Sequence, residues 1–235
     1  MGTNLRNWQR LVASLTNVHL QGNRDTFIWK LNTSGKFTVK SMYNMLIDTG
    51  ARVSQEIWQT KLPTKIKVFL WYLKKGVILT KDNLAKRNWQ GDKSCCFCHH
   101  NETIHHLFLN CFYARFLWRA VFMFFGLPPP VSIDDLFNSW SKLGGTRHNS
   151  VVLSAAAALC WAIWLTRNEV VFDKCRPKSF LQVLFRGSYW LRLWAKLHQS
   201  EVQQEMLWVG RHLETSALQF FASNGWLSQN KIGLH

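Results

Sequence analysis

Four metal-binding side chains lie close together in the middle of the chain, and they constrain its local fold more than any other feature. Cys95 and Cys98 form a C-x-x-C pair, whose spacing lets two thiolates of one tight turn bind the same ion. Thr103 can cap a short helix that carries His106 on its first turn, and Cys111 follows. The order C-x2-C-x7-H-x4-C offers three sulfur ligands and one nitrogen ligand, a set suited to one tetrahedral zinc ion. Four protein ligands leave no open position, so the sequence predicts a structural ion.

The spacing between the last two ligands predicts a break in the helix. His106 and Cys111 are five residues apart, about 140° around an ideal α-helix, so one straight helix would not bring them together. We therefore expect the helix to break near Asn110, with Cys111 at the start of the next helix.

The ligand choice stays open at two positions. Cys96 can replace Cys95 in a C-x-C pair, and three neighbouring histidines can replace His106, namely His99, His100 and His105. Two other interpretations of the cysteines are weaker. A redox C-x-x-C motif normally follows a βαβ pattern, which this chain lacks, and unliganded cysteines are common in protein cores.

The expected compartment also favours metal over disulfides. No apolar segment follows Met1, so we expect a protein that is not secreted and that works in the nucleus or the cytoplasm. Thiols stay reduced there, and clustered cysteines then more often bind metal. The longest nearly apolar run, 151–165, would form a helix of roughly 22 Å, shorter than the roughly 30 Å hydrocarbon core of a membrane. We expect a buried helix and no membrane partner.

The net charge points to a polyanionic partner. The chain has 29 Lys and Arg against 13 Asp and Glu, a formal charge of +16, and 56–120 is the most basic segment for its length. Such an excess favours RNA or DNA ahead of an acidic membrane surface. Few carboxylates remain for hydrolase or nucleotidyl-transfer chemistry, which usually needs several around metal ions. The candidate nucleic-acid-binding residues are Lys65, Lys67, Lys74, Lys75, Lys86, Arg87, Trp89 and Lys93.

Aromatic residues near these lysines can stack on single-stranded bases. The candidates are Trp29, Trp58, Trp71, Trp89 and Trp118. Most of the 13 tryptophans must lie in the core of a protein of this size. We favour Trp89 because Lys86, Arg87 and Lys93 surround it in a loop-like stretch.

Hydrophobic periodicity predicts a mainly α-helical fold with one small N-terminal β-hairpin. The hairpin comprises β-prone runs at 26–31 and 37–39, joined by a turn-rich link at 32–36, and Ser41 then caps a helix. Further helices are predicted around Trp58 and Leu62 up to Pro63, from Thr64 to Gly76, after Thr80, and at 114–125, 136–143, 151–171 and 179–199. The Pro128-Pro129-Pro130 connector suggests a boundary. The predicted domains are an extension (1–24), a zinc-binding module (25–127), a connector (128–150) and a helical C-terminal segment (151–235).

The order of apolar anchors and ligands resembles a known family. It runs from Trp29 through 35–41, 57–58 and 65–71 to the cluster that ends at Cys111, with Trp118 beyond it. This order is similar to the zinc-binding domain of plant non-LTR (LINE-type) retrotransposon reverse transcriptases, over roughly residues 25 to 125. The resemblance implies that Cys95, Cys98, His106 and Cys111 hold the metal. Downstream, 161–168 looks like the segment that precedes an RNase H domain in these elements.

The catalytic parts of that polyprotein are not recognisable in the sequence. A polymerase needs an aromatic-x-Asp-Asp signature, whereas Asp134-Asp135 follows Ser132 and fits a helix start. An RNase H domain needs four carboxylates on a βαβ scaffold, whereas the seven acids of 121–235 lie on predicted helices and at their ends, with no strand pattern. We therefore expect no enzymatic activity. The alternatives are a helical scaffold that docks onto a polymerase domain or another protein, and a remnant enzyme. The oligomeric state is not indicated.

Overall fold

The computed structural model describes residues 2–15, 28–30, 32–42, 55–138, 145–173 and 179–223, and helices dominate these ranges. The chain divides into two compact units, Met1–Val53 and Ser54–His235. The predicted mainly helical class is confirmed. The domain boundaries predicted after residues 24, 127 and 150 stay predictions.

The first unit contains helix α1, Gly2–Leu15, and a turn where the hairpin was predicted. Among the described residues the chain forms no β-strand there, so the predicted hairpin is wrong for this part. One hydrogen bond, from Trp29 N to Gly35 O (2.8 Å), spans the turn in place of a ladder. A two-stranded hairpin alone is only marginally stable in water, which explains why a local alternative wins. Thr26, Phe27 and Leu31 lie outside the described residues.

That local alternative is a helix start one turn earlier than expected. Residues 39–42 are helical, and Thr38 and Ser41 cap each other: Ser41 N donates to Thr38 Oγ1 (3.1 Å) and Thr38 N donates to Ser41 Oγ (3.3 Å). Thr38 is therefore the cap, not Ser41 as predicted, and Val39 belongs to the helix rather than to a strand. The predicted continuation beyond residue 42 lies outside the described residues.

The second unit is a helical assembly. Its elements are α2 (Gln55–Gln59), α3 (Thr64–Lys74), α4 (Lys81–Ala85), a π-helical turn (His106–Asn110), α5 (Phe112–Phe125), α6 (Ile133–Asn138), α7 (Gly145–Phe172), α8 (Phe180–Ala195) and α9 (Ser200–Ser223). Two short predicted helices differ in extent. The helix of Trp58 ends before Leu62, and α6 begins before the predicted residue 136 because Ser132 Oγ accepts the backbone N–H of Asp135 (3.0 Å). Residues 139–144 lie outside the described part.

Helix α3 follows the predicted pattern closely. Its buried residues are Ile66, Phe69, Leu70 and Leu73, the stripe expected from i, i+3, i+4, i+7 spacing. Gly76 ends the helix with φ +69°, a conformation that glycine adopts without the strain that a Cβ brings. The stripe faces the interior of the unit and leaves the other half of α3 for the surface.

Helix α7 is the core helix of the unit. By length and composition its part Asn149–Phe172 could cross a membrane, but 67% of the most apolar window is buried inside the structure. Three ring pairs join α7 to the preceding elements: Phe69 with Trp161 (5.0 Å between centroids) and with Trp164 (6.3 Å), and Phe108 with Trp164 (6.4 Å). The long apolar run thus packs under α3 and the π-helical turn. Burial of this kind is typical of a core helix.

Helices α8 and α9 complete the bundle. Ser179 and Gln182 form a reciprocal capping box at the start of α8. Ser188 Oγ donates to Gly210 O (2.9 Å) and joins α8 to α9. Helix α9, Ser200–Ser223, is an additional helix of the C-terminal segment, and the hydrophobic periodicity did not predict its bounds.

Candidate metal centre

A tight turn presents the first two cysteines. Cys98 N donates to Cys95 O (3.3 Å), and Cys95 N donates to His100 O (2.7 Å), which folds the chain back on itself. Below the turn, Ser94 and Asn101 form an isolated antiparallel bridge. These bonds hold both sulfurs at one end of a narrow loop, as the C-x-x-C spacing predicts.

The π-helical turn brings the other two ligands, His106 and Cys111, close to each other although they are five residues apart in the sequence. Thr103 Oγ1 caps it by accepting the backbone N–H of His106 (3.0 Å). Cys111 N then donates to His106 O (2.6 Å), an i to i+5 bond that brings the two residues onto the same side of the helix. Cys111 has an extended backbone (φ −57°, ψ 144°) and is the N-cap of α5. The predicted break after Asn110 is confirmed, and π-helical geometry is its structural basis.

The four side chains converge on one point. The ligand atoms of Cys95, Cys98, His106 and Cys111 all lie within 4.8 Å of one another. The Sγ atoms of Cys95 and Cys111 are 3.9 Å apart, and Cys98 Sγ lies 3.1 Å from His106 Nε2. Two sulfurs bound tetrahedrally at about 2.3 Å from zinc lie about 3.8 Å apart. The donor set and its dimensions fit a single zinc ion.

The neighbouring histidines and Cys96 have other positions. His105 lies at the surface, with Nε2 3.3 Å from Val131 O and Nδ1 3.0 Å from Asn110 Nδ2. The His100 ring stacks on the His106 ring, with 5.5 Å between centroids. Neither Cys96 nor His99 belongs to the converging group. The geometry therefore selects Cys95 and His106 from the alternatives that the sequence left open.

Hydrogen bonds between the thiols of the cluster shift their pKa values in opposite directions. The pKa of Cys95 is lowered because its sulfur accepts hydrogen bonds from the Cys111 and Cys96 thiols. The pKa of Cys111 is raised by the same bond to Cys95 and by burial, and burial also raises the pKa of Cys98. A metal ion displaces such protons, because it binds thiolates rather than thiols.

A small apolar core supports the ligands. Leu107, Phe108 and Leu109 are buried. On the other side of the site Phe97 packs against Tyr113, with 4.5 Å between ring centroids. Helix α5 secures the π-helical turn, because Trp118 Nε1 donates to Phe108 O (2.8 Å) in a fully buried position.

We predict that Trp118→Phe lowers the free energy of unfolding by about 1–3 kcal/mol, because it leaves the buried Phe108 carbonyl without its partner. Trp190→Phe is the matched control, since the buried Trp190 Nε1 has no hydrogen-bond partner. Urea unfolding followed by far-UV circular dichroism measures both variants. Equal losses in the two would show that ring volume, not the hydrogen bond, sets the cost.

A buried ion pair adjoins the metal centre, and sequence reasoning missed it. Glu102 and Arg167 are 0% and 1% exposed, and Arg167 Nη2 lies 2.7 Å from Glu102 Oε1. The same carboxylate oxygen accepts the backbone N–H of Lys81 (3.0 Å). Arg167 comes from α7, far along the chain. The one sequence signal is an arginine that follows the nearly apolar run 151–165 within the core helix.

The eight predicted nucleic-acid-binding residues lie on α3 and on the stretch from α4 to the cysteine turn. Lys65, Lys75, Lys86, Arg87, Trp89 and Lys93 are exposed, and Lys67 and Lys74 are half-buried. Lys86 lies 3.8 Å from Asp82. Trp89 is folded over Gly91, close enough that a Cβ there would meet its ring at 1.9 Å.

Comparison with known proteins agrees with the site. Residues 37–118 match the family described as zinc-binding in reverse transcriptase. A protein of Arabidopsis thaliana described as "Putative ribonuclease H protein" is 27% identical over 107 residues. That alignment covers 43% of this chain and 17% of the Arabidopsis protein. No solved structure matches. The segment that holds the four ligands is therefore a zinc-binding domain of the reverse-transcriptase type, as its resemblance to plant retrotransposons predicts.

Proposed function

We propose that this chain is the non-catalytic zinc-binding part of a retrotransposon-derived reverse transcriptase polyprotein, and that it contacts RNA or DNA through α3. The supporting observation is the half of α3 opposite its buried stripe, which combines basic and aromatic side chains and contains no acid. We call this half the basic face of α3. Its members are Thr64, Lys65, Lys67, Val68, Trp71, Tyr72 and Lys74, and Lys75, the C-cap of α3, continues it.

The basic face suits a single-stranded polyanion. At about 100° per residue, all four lysines fall on the half-circle away from the buried stripe, with the two rings between them. The Trp71 and Tyr72 centroids are 5.2 Å apart, and Tyr72 is 44% exposed. A site for single-stranded nucleic acid usually combines lysines along the phosphate backbone with aromatic rings that stack on the bases. Sequence reasoning favoured Trp89, but the geometry supports Tyr72 more strongly.

Three of these lysines also contact the protein, and the contacts fix where their charges lie. Lys67 Nζ donates to Trp58 O (2.9 Å), while Lys65 and Lys74 lie over the rings of Trp161 (5.4 Å) and Phe137 (5.6 Å). A cation held in place loses less freedom when it meets a phosphate.

The proposed role of zinc is structural. Two cysteines, a histidine and a third cysteine fill the tetrahedral shell, and no ligand position is left for a substrate or a reactive water. Asp134 and Asp135, the one Asp-Asp pair, lie in the first turn of α6, where carboxylates interact favourably with the helix dipole. These features support a domain that carries no catalysis of its own.

We expect single-stranded RNA to bind the full chain with an affinity that falls steeply with salt, because each neutralised phosphate releases counterions. Lys75→Gln should reduce the salt slope by about one, and Tyr72→Ala should weaken binding about 5- to 150-fold through lost stacking. Fluorescence anisotropy at two salt concentrations, with RNA and DNA of one sequence, measures both effects. The control is Lys196→Gln, which changes an exposed lysine at the C-cap of α8, outside the basic face.

Salt-insensitive or undetectable binding would contradict the nucleic-acid role and favour the second candidate, a scaffold that docks onto a polymerase domain. The observation behind it is a set of exposed apolar side chains on and beside α8 and α9: Tyr189, Leu193, Leu197, Trp208, Leu218 and Phe220. A docking scaffold would form a complex with such a domain in sedimentation experiments, whereas the first candidate requires RNA for complex formation.

We also propose an intracellular location without membrane attachment. Its support is the set of free thiols at 95, 96, 98 and 111 and the burial of α7 under other helices.

A further inference from the structure

We propose that Arg167 and Glu102 position the zinc ligands, so that the functional zinc-binding unit of this chain includes α7, which lies beyond the family-matched residues 37–118. The inference rests on the proposed binding of zinc. It assigns Arg167 a positioning role for a metal centre that it does not touch.

Glu102 lies at the junction of the two ligand pairs. It follows the turn that holds Cys98 and precedes Thr103, the residue that caps the π-helical turn of His106. Its backbone is fixed on both sides, since Glu102 N donates to Lys93 O (2.9 Å) and Glu102 O accepts from Asp82 N (3.2 Å). A shift of Glu102 would therefore move the two halves of the metal centre relative to each other.

Arg167 holds that junction from α7. Its Nε lies 3.2 and 3.3 Å from the two Glu102 oxygens, and Nη2 lies 2.7 Å from Oε1. The guanidinium is itself oriented by Asn168 Oδ1 (3.1 Å) and by the Trp164 ring (5.1 Å). A planar guanidinium donates to a carboxylate in few orientations. Burying either charge here without the other would destabilise the fold. The Glu102 carboxylate is thus buried with a paired charge only when α7 is docked.

A second contact ties the other ligand pair to the same helix. Phe108 lies between His106 and Cys111 in the π-helical turn, and its ring faces Trp164 of α7. Phe69 of α3 packs against Phe108 (6.2 Å) and against Trp161 (5.0 Å). Docking of α7 and assembly of the ligand set therefore use the same contacts. Two events coupled in this way strengthen each other reciprocally.

Zinc affinity of the full chain tests the inference, measured by competition with a chromogenic chelator. We expect Arg167→Met to weaken zinc binding about 10- to 100-fold, the range found when groups that orient metal ligands are removed. Arg192→Met is the matched control. Arg192 forms an ion pair with Glu214 between α8 and α9 (2.9 Å), away from the ligands, and we expect its zinc affinity to equal that of the wild type.

Hydrogen exchange of the wild-type chain gives a second readout that needs no variant. Zinc removal should speed amide exchange across Asn149–Phe172, because α7 loses the partner that its docking requires. Unchanged exchange there, or wild-type zinc affinity in a folded Arg167→Met chain, would overturn the inference while leaving the zinc site intact. A wild-type chain that binds no zinc would instead contradict the proposed function itself.

Discussion

Cys98→Ser is expected to abolish tight zinc binding and to open the segment around residues 90–120. A structural zinc site contributes on the order of 10 kcal/mol to folding, comparable to the whole stability of a domain, about 5–15 kcal/mol. The regular secondary structure of the ligand loop is short: it comprises one isolated bridge, Ser94 with Asn101, and one π-helical turn. Without the ion, the buried thiols of Cys95 and Cys111 would face the hydroxyl group introduced at position 98, which is half-buried.

Two measurements check this expectation. Mass spectrometry of the native protein should find one zinc per wild-type chain and none in Cys98→Ser, and limited proteolysis should cut the variant between residues 90 and 120. The matched control is Cys96→Ser, a cysteine of the same loop outside the converging group. If Cys96→Ser loses zinc as well, the ligand assignment is wrong. A Cys98→Ser chain that keeps zinc and its protease resistance would show that the metal is not structural.

Local patterns in the sequence were enough to locate the ligand cluster, although they left two of the four ligand positions open. The C-x-x-C pair needs only a single turn to bring its two sulfurs together, and Thr103 caps the first turn of one helix. Neither feature depends on distant parts of the chain. The stripe of α3 and the glycine at its end are local in the same sense. The angle between His106 and Cys111 even indicated the need for a break, although not that a π-helical turn supplies it.

The predicted hairpin failed because two local preferences competed. Val39 and Phe37 favour a strand, but Thr38 and Ser41 form a reciprocal cap that starts a helix between them. A pattern of alternating residues carries no information about partners, and a strand needs a partner to be stable. Side-chain caps need only their own backbone, so they prevail where a sheet is absent.

The Glu102–Arg167 pair lay beyond sequence reasoning for a different reason. The two residues are 65 positions apart, and each looks like an ordinary surface charge in its own segment. Their burial results from the packing of α7 under the π-helical turn, which no periodicity specifies. The predicted zinc module and the predicted C-terminal segment thus share their most deeply buried charges.

Breaking this pair from one side is expected to cost about 3–5 kcal/mol of unfolding free energy, because Arg167→Met leaves the Glu102 carboxylate buried without a cation. The double variant Glu102→Gln/Arg167→Met should recover most of that loss. It buries no charge, and the side-chain amide oxygen that replaces the carboxylate can still accept the Lys81 N–H. Urea unfolding of the zinc-loaded proteins measures both.

Comparing Arg167→Met with the double variant distinguishes a role of the ion pair in stability from a role in positioning the zinc ligands. If the pair served stability alone, the double variant would regain wild-type zinc affinity together with its stability. If the pair positions the ligands, stability returns while zinc affinity stays low, because a neutral amide beside methionine lacks the fixed bidentate geometry of a carboxylate and a guanidinium. A double variant as unstable as Arg167→Met would contradict the charge argument, since it would place the cost in lost packing against Trp164 and Phe172 rather than in an unpaired carboxylate.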